Sequence, residues 1–298
     1  MEAGAAAAPQ AATAKRTKTK TIKPDSGGTP WWMWIAVAAI VVFCLFPFYW
    51  LLNISLKQGV DLTGSSLIPP HPTLNNYSEI FKNPDFTKAL RNSAVVALLT
   101  TFFSILVGAF CAYALARLKI RFKFVILAII LTITTFPQIT IAAPIFKLWR
   151  DIGLYNTIPG LVIPYLTFAL PLAIYILTSF FREIPRDLEE AALVDGATNF
   201  QAFYKVVVPL AAPGLATAGI LTFIAAWNEF LLAITLTSSS SARTVPAAIA
   251  FFTGSVQFEQ PLGTISAASV TISVPLILMV LLFQKRIVAG LTAGAVKG

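Results

Sequence analysis

Residues 190–210 read EAALVDGATNFQAFYKVVVPL, nearly the only charged stretch in the second half of the chain that does not read as membrane. Strongly apolar blocks lie on either side of it. The pattern is that of a loop that leaves a membrane, folds into two short amphipathic turns around Gly196, and re-enters. It holds no His, no Cys and no Ser paired with a base, so it reads as a docking element and not a catalytic one. That points to a membrane protein driven from outside its own chain.

Composition agrees with this reading. Of 298 residues, 57% are hydrophobic and 12% charged, against about 25% charged in a soluble domain. Mean hydropathy is +0.77. So little charge means that most of the surface does not face water. The net charge of +9 could suit nucleic acid, but apolar segments give it a better context. Membrane proteins carry excess Lys and Arg on their cytoplasmic side. Cys44 and Cys111 fall inside apolar segments, and with the single His71 they offer neither a disulfide framework nor a metal spacing.

A hydrocarbon core about 30 Å thick takes roughly 20 apolar residues as a helix. Six stretches qualify: Trp31–Leu52, Ser93–Ala116, Phe124–Phe146, Ile158–Phe181, Ala211–Thr235 and Thr264–Phe283. The fold class expected is an all-α membrane protein, a bundle of six transmembrane helices with a cytoplasmic loop over residues 182–210. Prolines recur inside the spans, at positions 47, 137, 144, 164, 171 and 275. A bundle tolerates them because neighbouring groups can satisfy the freed carbonyls.

Flanking charge orients the bundle. Of the 22 Lys and Arg, 15 fall on the side of the N-terminal tail, the Arg117–Lys123 cluster, the 182–210 loop and the C-terminus. Seven fall on the other side, Lys57 and Arg243 among them. Both termini and the loop are therefore expected in the cytoplasm. Residues 1–28, rich in Ala, Thr and Lys with no apolar periodicity, read as a disordered basic tail, and 29–298 as one membrane domain. The Trp31–Leu52 run is too long for a cleaved signal peptide and lacks a small-residue cleavage site. Trp31, Trp32 and Trp34 suit an interfacial belt.

Within the loop, Pro185 and the acids Asp187, Glu189 and Glu190 favour a helix start. Gly196 permits a turn that a residue with a Cβ resists. Thr198 and Gln201 fit a capping box. Phe200, Phe203, Tyr204 and Val207 follow at helical spacing as an apolar stripe, and Pro209 closes the segment. The stripe suits lipid, its own bundle or a partner's groove equally well.

The segment resembles the EAA loop of ABC-importer permeases: E-A-A, three residues, G, nine residues, then I-x-L-P. Here Glu190-Ala191-Ala192 is followed by Gly196, then by Val206 and Val208-Pro209, with valine at the two aliphatic positions. Leu74-Asn75-Asn76-Tyr77, Trp227-Asn228-Glu229-Phe230 and the tail from Gln284 to Gly298 narrow the resemblance to permeases of the maltose-type carbohydrate-uptake family, of the smaller-subunit type. Through residues 168–175, FALPLAIY, and the tail, the chain looks most like a trehalose permease subunit of actinobacteria.

The resemblance implies one half of the path for a di- or oligosaccharide, trehalose or maltose-like first, in a bacterial inner membrane. It implies a second homologous permease subunit, two ATPase subunits and an extracellular solute-binding protein or lipoprotein as partners, with lipid around it and no nucleic acid. The chain has no G-x-x-x-x-G-K-[ST] phosphate loop. No cofactor is expected in it, and no catalytic residue; ATP and Mg belong to the partner ATPase. The ATPase-coupling residues would be Glu190, Ala191, Ala192, Asp195, Gly196, Phe200, Phe203, Tyr204 and Pro209. Arg243, Phe251, Phe252, Gly254, Phe258 and Glu259 lie in the outer loop that would meet the binding protein.

Candidates for the solute path are Trp227, Asn228, Glu229, Tyr165, Phe168, Tyr175 and Gln138, since a sugar asks for aromatic faces beside amides or carboxylates. Glu229 is the one acid inside an expected span. Near the outer end of its helix, it suits either exposure to water or a place in an outer cavity. Two alternatives stay open: an ABC importer of a different solute, and a secondary carrier, which would want several buried acids and an internal repeat.

Overall fold

The computed structural model describes residues 30–252 and 261–292, with side chains through 285 in the last helix. The expected disordered tail, residues 1–28, lies outside the described residues. By internal contacts the chain divides at Pro47 into an N-terminal unit and a larger one, Phe48–Gly298. The described part of the first unit is the leading half of helix α1 (Trp31–Ser55), apolar on every side, with Trp31, Trp32 and Trp34 exposed.

In the larger unit, α2 (Asn75–Lys82) leads into α3 (Pro84–Arg117), then α4 (Lys123–Thr135), α5 (Gln138–Asp151) and α6 (Ile158–Glu183). The loop carries α7 (Arg186–Val194), α8 (Asn199–Ala202) and α9 (Val208–Leu210). After it come α10 (Ala212–Trp227), α11 (Leu231–Leu236), α12 (Val245–Ile249) and α13 (Leu262–Thr292). Every regular element among the described residues is helical.

Four helices, α1, α3, α6 and the 262–285 part of α13, are long and apolar enough to cross a membrane. Two sharply bent pairs bring the number to six if each counts as one span. The sequence predicts one span over Phe124–Phe146; instead α4 and α5 meet at 83°. The cause is Pro137, which disfavours helical backbone at the residue before it. Phe136 is extended there, at φ −70° and ψ 130°.

The other internal prolines stay within helices. Pro164 cannot donate to the Gly160 carbonyl, and the Trp149 indole donates to that oxygen instead, at 2.6 Å. The fifth expected span, Ala211–Thr235, is also corrected. Its helix bends by 74° from the loop helices at its start and ends at Trp227, eight residues early.

The centre of the bundle is the α3–α6 pair, faced with small residues that let the two backbones approach. Ala109, Ala112, Ala169 and Ala173 are buried, and a Cβ on Gly108 would stand 3.2 Å from the Ala173 methyl. Helix α3 has 34 residues, about 51 Å at 1.5 Å per residue. It starts nine residues before the expected Ser93, because Asn83 caps it through Oδ1 to the Asp85 amide and Pro84 takes the first turn.

Candidate functional site

The 186–210 segment is a helical hairpin at the C-terminal end of α3. Helix α7 closes with two bonds: the Gly196 amide donates to the Leu193 carbonyl (3.1 Å) and the Ala197 amide to Ala192 (3.0 Å). This pattern ends a helix on a left-handed residue. Gly196 supplies it at φ +88°, with nothing within 4 Å of where a Cβ would stand. The backbone conformation, not space, requires glycine there. The expected capping box is present: Gln201 N donates to Thr198 Oγ1, and Thr198 N to Gln201 Oε1.

The expected stripe divides. Phe203 and Val207 are buried against α3 and α6, with Phe203 4.8 Å from the Tyr113 ring. Phe200 and Tyr204 remain exposed. The division has a backbone cause. Pro209 has no N–H to give Lys205, and residues Phe203–Val207 wind as a π turn in which Val208 N reaches back to the Phe203 carbonyl. On α7, Glu190, Ala191, Leu193 and Val194 are exposed, Ala192 is half-buried, and Asp195 is exposed at the turn. Val194 is 87% exposed, and the hairpin tip is an acidic and apolar surface left uncovered among the described residues.

Sequence reasoning missed what holds this hairpin. Glu189, beside the first motif residue, forms an ion pair with Arg117 at the end of α3 (Nε–Oε2 3.2 Å). Tyr113 donates to the other Glu189 oxygen, and Arg117 Nη2 donates to the Ile184 carbonyl at 2.8 Å. The partners are more than 70 positions apart, so no local signal could pair them.

The opposite end of α3 holds a second loop. From Asn92 to Arg117 the helix advances 25 positions, about 37 Å, enough to separate the two ends by a membrane core. The Asn92 amide donates to the carbonyls of Ser240, Ser241 and Arg243. Asn156, at φ +59°, accepts from the Ser238 and Ser239 amides. Segment 238–243 is thus packed on the bundle. Arg243 lies 4.0 Å over the Phe251 ring, and Phe252 packs against Phe86. Arg243, Phe251 and Phe252, with Glu79 and Asp85, border a cleft of about 840 Å³, open mouth included. Gly254, Phe258 and Glu259 lie outside the described residues. The Asn76 amide donates to the Ser55 and Lys57 carbonyls, and the Tyr77 hydroxyl meets Ser55 Oγ at 2.8 Å. The Asn-Tyr element is a clamp between the end of α1 and α2.

The solute-path candidates do not form one cluster. Gln138 and Phe168 border one cleft at the α4–α5 bend, about 910 Å³ with its open mouth, which also holds Phe136 and three threonines. Tyr165 is fully buried behind Phe168, ring centres 5.5 Å apart, and its hydroxyl faces Glu229. Trp227 is buried, stacks on Phe223 and donates to the Ile272 carbonyl at 3.2 Å. Asn228 and Tyr175 are exposed elsewhere.

Glu229 is 7% exposed, so the water-facing option does not hold. Its Oε1 accepts from Leu232 N at 2.7 Å and its Oε2 from Ala233 N at 3.0 Å. The carboxylate caps the first turn of α11, where free N–H groups and the helix dipole favour negative charge. Helix α11 starts at Leu231, after α10 has ended at Trp227. Among the described residues, no group of His, Cys, Asp and Glu is placed to hold a metal ion.

Comparison with known proteins agrees with this architecture. Over 266 residues the chain is 53% identical to the trehalose transport system permease protein SugB of Mycobacterium tuberculosis, covering 89% of this chain and 97% of that one. It is 40% identical to the trehalose/maltose transport system permease protein MalG of Thermococcus litoralis, covering 89% and 95%. In fold it is similar to a chain of a bacterial ABC transporter that imports the acidic polysaccharide alginate, with a TM-score of 0.72 at 23% identity, covering 85% and 94%. Residues 104–292 match the family described as binding-protein-dependent transport system inner membrane component. The chain belongs to that family: it is a membrane-embedded permease subunit of an ABC transporter, a transport component and not an enzyme.

Proposed function

We propose that this chain is one of two permease halves of an ATP-driven sugar importer, with a trehalose-like disaccharide as the first candidate solute. The observation that carries the reading is the uncovered hairpin: Glu190, Leu193, Val194, Phe200 and Tyr204 exposed on a rigid support at one end of α3. ATPase subunits would seat there and supply ATP and Mg. The solute-binding protein would meet the other end, near Arg243 and Phe251. The family description, which names binding-protein dependence, supports a binding protein as partner, and relatives named for trehalose and maltose support the solute. Gln138 and Phe168 would touch solute in the cleft at the α4–α5 bend, with Tyr165, Trp227 and Glu229 fixing its wall.

The orientation is proposed with both termini and the 182–210 loop in the cytoplasm, on the cation asymmetry. Single cysteines at Lys119 and Ser240, in a background lacking Cys44 and Cys111, are expected to label from opposite faces. Labelling of both from outside contradicts it.

For substrate, a strain deleted for this chain is expected to lose uptake of one di- or oligosaccharide. Complementation should restore it. Loss of amino-acid or peptide uptake with sugars unaffected overturns the sugar reading and leaves an importer of another solute.

A further inference from the structure

Helix α7 has nine residues, about 13 Å of helix. Helices this short are marginal alone, so tertiary contacts decide how one sits. Pro185 stands at one end and the left-handed Gly196 at the other, and the helix also meets the 199–207 segment. Its polar contacts to α3 are those of Glu189. Its two oxygens are engaged by Tyr113 and Arg117 from α3, and Arg117 also holds the Ile184 carbonyl just before Pro185. The side chains of Arg117 and Glu189 are 6% and 14% exposed. An exposed pair adds little, but breaking a desolvated one strands a charge.

We propose that Arg117 and Tyr113 are positioning residues for coupling. They lock the rotation of α7, so that Glu190 and the Leu193–Val194 pair face the ATPase, and they tie that surface to α3. Neighbouring helical residues are about 100° apart around the axis. Fixing Glu189 inward therefore fixes the bearing of Glu190. The Tyr113 ring also packs on Phe203, so one cluster joins α3, α7 and the π turn. Helix α3 carries the tie onward as one rigid element to Asn92, which clamps the loop at its other end. This inference rests on reading the hairpin as the ATPase surface.

The test uses the reconstituted importer with all its subunits and compares Arg117→Glu, Glu189→Arg and the double swap. The ratio of ATP hydrolysis with loaded binding protein to hydrolysis without it is read beside ATPase stoichiometry. Each single reversal is expected to lower the ratio about tenfold, the effect of roughly 1.4 kcal/mol. The swap should recover most of the loss. A swap no better than the single variants, or single variants equal to wild type, overturns the proposal. If the reversals do not reach the membrane, Arg117→Lys and Tyr113→Phe take their place. Each keeps part of the tie and should give an intermediate ratio, and wild-type ratios in both overturn it. Glu190→Lys serves as control. Full ATPase association and a wild-type ratio in that variant refute the docking reading itself; the tie is then judged by whether the swap restores membrane level.

Discussion

Transport is expected to stop, with the protein still in the membrane, when Gly196 is replaced by valine or Glu190 by lysine. Gly196 sits at φ +88° with open space around it, so the cost of a side chain is conformational. A left-handed position costs an L residue roughly 1–2 kcal/mol, and a β-branched one is a true outlier there. The chain relieves that strain by moving the α7–α8 turn, which displaces Phe200 and Tyr204 from the surface they share with Glu190. Glu190→Lys reverses a charge on that surface. Losing an anchor and a charge contact at an interface costs about 2–4 kcal/mol, or roughly 30- to 1000-fold in assembly. Membrane level, ATPase co-purification and stimulated ATP hydrolysis check the prediction together. Wild-type values of all three in both variants would mean that the hairpin does not couple.

Glu229→Ala is expected to destabilise the protein substantially at the opposite end. The carboxylate accepts from two buried amides, those of Leu232 and Ala233. Each buried donor left unmet costs about 1–3 kcal/mol, so a total near 3 kcal/mol is expected. The first turn of α11 would fray, and Ser239 to Ser241 would loosen with it. Unfolding in detergent should show a lowered Tm, and a cysteine at Ser240 should label faster. Glu229→Gln keeps one good acceptor and should lie between. Equal Tm for wild type and alanine would show that the cap contributes nothing.

What could be read from the sequence was local. The capping box at Thr198–Gln201 and the glycine turn involve residues within a few positions of each other, and they stand as expected. The apolar blocks located the spans, because burial in lipid asks only for length and composition. Their shape was not legible. Of the prolines, Pro137 breaks its helix while Pro164 does not, and the difference for Pro164 is the Trp149 indole, which satisfies the freed Gly160 carbonyl through tertiary contact. The Glu229 cap is local, yet it comes from the residue before the N-cap Phe230, where capping preferences give no signal, and its run reads as continuous helix. Arg117 and Glu189 read only as a flanking cation and a helix-start acid. Their partnership exists because the C-terminal end of α3 meets the first turn of α7.

In the mechanism proposed, the hairpin converts ATPase closure into movement of sugar through this bundle. Proteoliposomes holding the complete importer, with ATP enclosed and sugar-loaded binding protein outside, test it most directly through uptake of labelled trehalose or maltose. Wild-type vesicles should accumulate one of these only when both ATP and binding protein are present, and Gly196→Val vesicles should accumulate none. Uptake that continues without ATP, or that is unchanged in the Gly196→Val protein, would contradict the account.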